Sequence, residues 1–235
     1  MRAEPHAGTV RGPERRRAAR AVAADHDGVV SRRLLAHAGI GWADVAAEVR
    51  AERWVRHGRQ TVAVHTGPLT PLAQWWRAVW EVGHGIAALD GVTALLAAGL
   101  TGYDEQLVHV SIVHHHRVAP VEGVRQHTIT RRRPDEVIRA GVPRVRPAVA
   151  AIRAAHWAAS DRQAALILVL TVQQRLATPA ALEDVSKVVR GRRRRALVQR
   201  VLRHLRHGAQ TLGEVEPEAL IEQVEAALRL TSAGG

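Results

Sequence analysis

The chain has 235 residues, 46% of them apolar, enough for one large core or for a small domain joined to a medium one. A net charge of +12 favours polyanionic partners, and the absence of cysteine excludes a disulfide framework, a thiol nucleophile and a cysteine-based zinc finger. Lys187 is the single lysine and Asn and Phe are missing, a bias that fits GC-rich coding, so part of the arginine excess reflects codons rather than ligand chemistry.

Residues 1–12 contain Pro5, Gly8 and Gly12 without a periodic apolar pattern and predict a disordered arm. Over 14–24, Ala18, Ala21 and Val22 fall at helical spacing with Arg15, Arg16, Arg17 and Arg20 on the remaining surface, which predicts a basic amphipathic helix. Asp27 and Gly28 end it, and Ser31 is placed to cap a second short helix carrying Leu34 and Leu35. Gly39 and Gly41 turn the chain into a third helix over 42–53, with Val45 and Val49 on one face. The period then changes: 54–56 and 61–64 read as strands on either side of a tight basic turn, His57-Gly58-Arg59.

Helix, helix, turn, helix, hairpin is the order of a winged helix-turn-helix, here over 13–66; its third helix enters the major groove of double-stranded DNA and its hairpin touches the flanking backbone. A small helical bundle with an inert hairpin is the alternative. The third helix is not basic on its face, because Asp44, Glu48 and Glu52 oppose Arg50 and Arg53. Phosphate contacts are therefore expected from Arg15, Arg16, Arg17 and Arg20, from Arg32 and Arg33, and from Arg56, His57 and Arg59. Base contacts are expected from Trp42, Asp44, Arg50 or Arg53.

Prolines and a glycine over 67–71 predict a linker to a mixed middle domain over 67–207. That domain opens with a helix over 72–82, whose Trp75, Trp76 and Trp80 are expected to pack into a core, and a second over 89–96. A strand pair follows, over 107–113 and 124–130, with a short extended segment over 142–145. Helices are then predicted over 147–157, 160–176, 179–188, 192–206 and 217–230, with Ser160 and Thr178 as N-caps and 208–235 set apart as a C-terminal segment. The fold class is α+β, mostly α, with a small sheet and a helical C-terminal half.

Of the chemical motifs, His114-His115-His116 suggests a metal site that His109 or His127 would complete from the paired strand. No carboxylate apart from Asp104 and Glu105 stands near to fill the set, so an exposed loop is preferred. Arg192 to Arg195 open a helix and offer either a phosphate clamp or a solvated face. No phosphate loop, His-Glu-x-x-His or Gly-x-Ser-x-Gly elbow is present, and the residue two before Lys187 is Val185, not the acid a restriction-type nuclease needs. The expectation is no enzyme, no cofactor and no metal. The longest apolar run, 164–172, is too short to span a bilayer and 1–20 has no signal-like apolar run, so a cytoplasmic location is expected.

The run Asp27-Gly28-Val29-Val30-Ser31 through Leu34-Leu35 to Gly39-Ile40, followed by a helix and by 54–64, resembles the N-terminal winged helix of AbiEi-type antitoxins. Those are transcriptional autorepressors of toxin–antitoxin operons. Segments 88–96, 108–111, 141–147 and 160–165 are similar to actinobacterial proteins that join this winged helix to a very-short-patch-repair-like endonuclease domain. In such proteins the nuclease part begins near a segment like 208–214, so Glu214 is expected as a remnant of a first acid and the metal-binding core as truncated here. The resemblance implies a DNA-binding regulator, with a toxin or other partner protein and a homodimer as expected partners. An inactive nuclease relative with nonspecific DNA affinity and a protein-interaction module stand as the other readings.

Overall fold

The computed structural model describes residues 12–114, 118–189, 191, 193–208, 222 and 225. Expectations for 1–11, His115, His116, Arg192, Glu214 and the helix over 217–230 therefore fall mainly outside the described residues. The fold is α+β, and the chain divides into two compact units, one formed by 1–87 with 118–122 and the other by 88–117 with 123–235.

In the first unit α1 (Gly12–Ala23) leads through a 3-10 turn to β1 (Val29–Ser31), then to α2 (Arg32–His37), α3 (Trp42–Arg50), the hairpin strands β2 (Val55–Arg56) and β3 (Thr61–Ala63), and α4 (Pro71–Gly83). The Ser31 hydroxyl accepts from Leu34 N at 3.3 Å, the cap its position predicted. The sheet is antiparallel in the order β1-β3-β2, with Val30 opposite Val62 and Arg56 opposite Val62. Alternation assigns its two faces. Val30, Val62 and Val64 join Leu35, Ile40, Val45, Trp54 and Ala19 in the core beneath α1, α2 and α3. Val29 and Ala63 turn the other way and are covered by Ala73, Trp76 and Trp80 of α4.

That second apolar face corrects the predicted boundary at 66/67. Left uncovered, Val29 and Ala63 would face water, so α4 packs on the sheet, and the Pro-rich stretch before it is a connection within one unit. Thr70 caps α4, its Oγ1 accepting from Ala73 N at 3.2 Å ahead of Pro71 at the first helical position.

The second unit carries a five-stranded sheet in the order β6-β5-β4-β8-β7, from β4 (Ala88–Leu89), β5 (Val108–Val113), β6 (Val124–Ile129), β7 (Val137–Ile138) and β8 (Arg144–Val145). The strand pair is parallel, Val108 beside Val124 and Ser111 beside His127. The helix predicted over 89–96 begins later, as α5 (Gly91–Leu96), because Ala88 and Leu89 are taken by the sheet and Asp90 turns the chain, its carboxylate accepting from Gly91 N at 2.7 Å.

Four helices complete the unit: α6 (Pro147–Trp157), α7 (Asp161–Gln173), α8 (Pro179–Val188) and α9 (Arg195–Gly208). Ser160 and Thr178 cap α7 and α8 as predicted. α6 packs on α5, α7 and α8, and α9 on α7 and α8, burying Leu197, Val198, Val201, Leu202 and Leu205 on its single apolar side. α9 starts at Arg195 rather than at 192, since Arg194 adopts a left-handed φ of 58° and is tied to Asp161 at 2.8 Å and to the Ala159 carbonyl. Among the described residues no helix is long and apolar enough to cross a membrane.

Candidate functional site

The predicted DNA-contacting residues all lie in the first unit, and the structure sorts them into two groups. The first is consumed internally. Glu48 of α3 is fully buried, which alone would raise its carboxyl, yet hydrogen bonds from Arg53 and Arg15 and their charge hold it below the usual range. Arg53 Nε lies 2.6 Å from Glu48 Oε2, Arg15 NH2 lies 2.7 Å from Glu48 Oε1, and Arg16 reaches the same oxygen at 3.5 Å. Arg15 also meets Asp44 at 2.7 Å. Two of the three acids that made α3 look unsuited to a polyanion, Asp44 and Glu48, thus pair with Arg15, Arg16 and Arg53, while Glu52 stays exposed. Those three, expected as nucleic-acid contacts, are ion-paired within the unit.

The second group is exposed, and two of its members meet Trp42 at the start of α3, which is 48% exposed. The Arg32 guanidinium sits 4.2 Å from its ring centroid and the Arg56 guanidinium 3.9 Å, so two cations flank one indole. Arg56 reaches this place because it pairs with Val62 and so faces the α3 side of the sheet. Arg32 also donates to the Arg59 carbonyl at 3.4 Å, linking α2 to the hairpin turn. Arg33 on α2, Arg50 at the end of α3, Arg59 in the turn and Arg20 on α1 are exposed. None of Arg20, Arg32, Arg33, Arg50, Arg56 and Arg59 is ion-paired to a carboxylate among the described residues.

His57, expected at the phosphate backbone, follows β2 in the hairpin turn. Its carbonyl accepts from Arg77 Nε at 2.6 Å, and burial, with Arg77 and His65 adding to it, lowers the imidazole pKa. The shift disfavours the imidazolium, so the positive charge of the hairpin rests on Arg56 and Arg59. Sequence reasoning also missed the residues that fix the turn. The Glu81 carboxylate of α4 accepts from Arg59 N at 2.8 Å and from Gln60 N at 2.7 Å. Gly58, at φ 148°, lies so close that a Cβ there would stand 2.3 Å from that carboxyl. Twenty-one residues separate Gln60 from Glu81, and no local pattern joins them.

In the second unit His127 stacks on Trp157, ring centroids 3.6 Å apart, and its Nε2 lies 3.2 Å from His109 Nδ1. Glu105 stands 3.5 Å from His109 Nε2. Among the described residues no group of three or more His, Asp or Glu could hold a metal ion. His114 bonds through Nδ1 to the Thr130 carbonyl at 2.9 Å.

No family model matches the chain, and no curated protein matches it. Among solved structures it is similar to the crystal structure of the RV2827C protein from Mycobacterium tuberculosis, at 16% sequence identity and a TM-score of 0.48 over 80% of this chain and 74% of that one. A likeness of that degree bears on neither activity nor partners.

Proposed function

We propose that the first unit is a winged helix that binds double-stranded DNA, and that the protein is a transcriptional regulator of the AbiEi antitoxin type acting on its own operon. The observation that carries this reading is the exposed Arg32–Trp42–Arg56 stack at the start of α3 and on the hairpin, whose guanidiniums, like those of exposed Arg33 and Arg59, have no carboxylate ion-pair partner among the described residues. The chain order α1, β1, α2, α3, β2, β3 supports it as well, α3 being the recognition helix and the hairpin the wing. With Asp44 and Glu48 turned inward, the outward side of α3 presents Trp42, Ala43 and Arg50, a surface a DNA groove tolerates. Phosphates are then held by Arg20, Arg32, Arg33, Arg56 and Arg59, and bases meet Trp42 and Arg50. Catalysis has no part in this reading. A toxin or other partner protein, a homodimer on paired half-sites and a cytoplasmic location belong to it as expectations.

The test is binding of the full chain to the DNA upstream of its own gene, measured by fluorescence anisotropy across a salt series with scrambled competitor. Affinity should survive competitor and fall with salt, and Arg56→Ala with Arg59→Ala should flatten the log–log slope by about 2, close to one per phosphate contact removed. Salt-dependent binding indifferent to sequence would favour the inactive nuclease relative. Weak binding untouched by the double variant would favour a protein-interaction module.

A further inference from the structure

We propose that the second unit binds a phosphorylated small molecule of nucleotide size in the cavity bounded by β6, α6 and the segment after α8. The cavity measures about 890 Å³, within the roughly 300–1,000 Å³ typical of small-molecule sites. It lies wholly inside the second unit and is independent of the DNA-binding reading.

Its wall holds a charge that the core does not need. Arg153 of α6 is 6% exposed and divides its guanidinium between Asp90, at 2.9 Å, and Glu136, at 2.7 Å. Replacing such a buried network with apolar residues is often neutral or stabilising, so its presence at a cavity points to use rather than to stability. Further cations stand at the same cavity. Arg133 and Lys187 have only exposed pairs, with Asp135 at 3.6 Å and Asp184 at 2.7 Å, which contribute little and exchange easily. Arg131 and Arg193 are exposed and have no carboxylate partner among the described residues. Among the described residues Glu136 is the only acid in the lining, and it is already engaged. Several guanidiniums and an ammonium around one space match the many oxygens of a phosphate, and repel a metal ion.

The rest of the lining suits the body of such a ligand. Thr128 and Thr130 add hydroxyls, while Trp157, held in place by the stacked His127, offers an aromatic edge. Val188 lines the space and is 57% exposed, an apolar side chain that an occupant would cover. The outer wall is a built feature. The Arg193 carbonyl bonds to His156 Nδ1 at 2.6 Å, and Gly191 packs so tightly that a Cβ there would meet the His156 ring at 2.3 Å.

The probes are inorganic phosphate, AMP and ATP, titrated calorimetrically into the full chain. AMP or ATP should bind more tightly than phosphate, and Arg131→Glu with Arg193→Glu should weaken binding about tenfold or more. Both side chains are exposed, and Arg131→Gln with Arg193→Gln gives a milder second pair that keeps the fold. Arg203→Glu on α9, and Arg56→Ala with Arg59→Ala in the first unit, should leave nucleotide affinity within about twofold. The proposal is overturned if no probe binds by about 10 mM, beyond the affinity of a specific site, or if the pairs at 131 and 193 change nothing. It is overturned too if the 56/59 variant abolishes the binding.

Discussion

Between His109 and His127 a proton has nowhere comfortable to go. Their ring nitrogens are 3.2 Å apart, and burial, then the His109 and Arg125 charges, push the His127 pKa down to about 3. The folded protein refuses a proton that the unfolded chain accepts near 6.5, so this stabilisation is complete above about pH 6.5 and is lost progressively as pH falls from there toward 3. Up to about 5 kcal/mol is involved over that whole range. The urea midpoint of the second unit should drop between pH 7 and pH 5, and His127→Gln should reduce that drop; an identical pH dependence in the variant would refute the assignment. From the sequence, His109 and His127 could be placed on paired strands, but not with their nitrogens in contact, because that depends on a parallel register. Glu48 is a similar case. The helix period put it on α3, but its partner Arg15 lies 33 residues earlier, beyond the reach of any local pattern.

Elements were legible in proportion to their length. The helices α6, α8 and α9 and the hairpin follow from apolar spacing and turn residues, and three predicted N-caps, Ser31, Ser160 and Thr178, accept the expected backbone bonds. Strands of two or three residues, such as β1, β4 and β7, are too short to show a period, and Leu89 of β4 reads from sequence as the first residue of a helix. The hairpin turn illustrates what a tertiary partner adds. Its amides at Arg59 and Gln60 end on the Glu81 carboxylate rather than on water, which fixes the position of Arg59 and the approach of Arg56 to Trp42. Glu81→Ala should speed hydrogen exchange at those two amides about tenfold and weaken DNA binding about threefold, a loss of order 1 kcal/mol. Unchanged exchange would mean that the turn holds itself.

At the scale of the molecule, each unit buries its own set of side chains, Leu35 and Trp54 in the first and Leu89, Ile152 and Leu168 in the second. Calorimetry should accordingly resolve two transitions. Leu35→Ala, at a site with no exposure, should cost about 2–4 kcal/mol and move one of them, while Leu168→Ala moves the other. A single transition shifted alike by both variants would contradict this. The boundary itself was misplaced from sequence because prolines near 67–71 look the same in a linker and in a connection to a packed helix. Arginine, finally, stands in this protein for two different reasons. Arg15 spans Asp44 and Glu48, and Arg153 spans Asp90 and Glu136, reaches that the single ammonium of lysine cannot copy. Arg20, Arg33 and Arg203 supply charge at exposed positions where either cation serves. In a lineage drifting toward AT-rich codons the second set is free to become lysine and the first is not, so relatives would record in their substitutions which arginines are held by their geometry and which are only dialect.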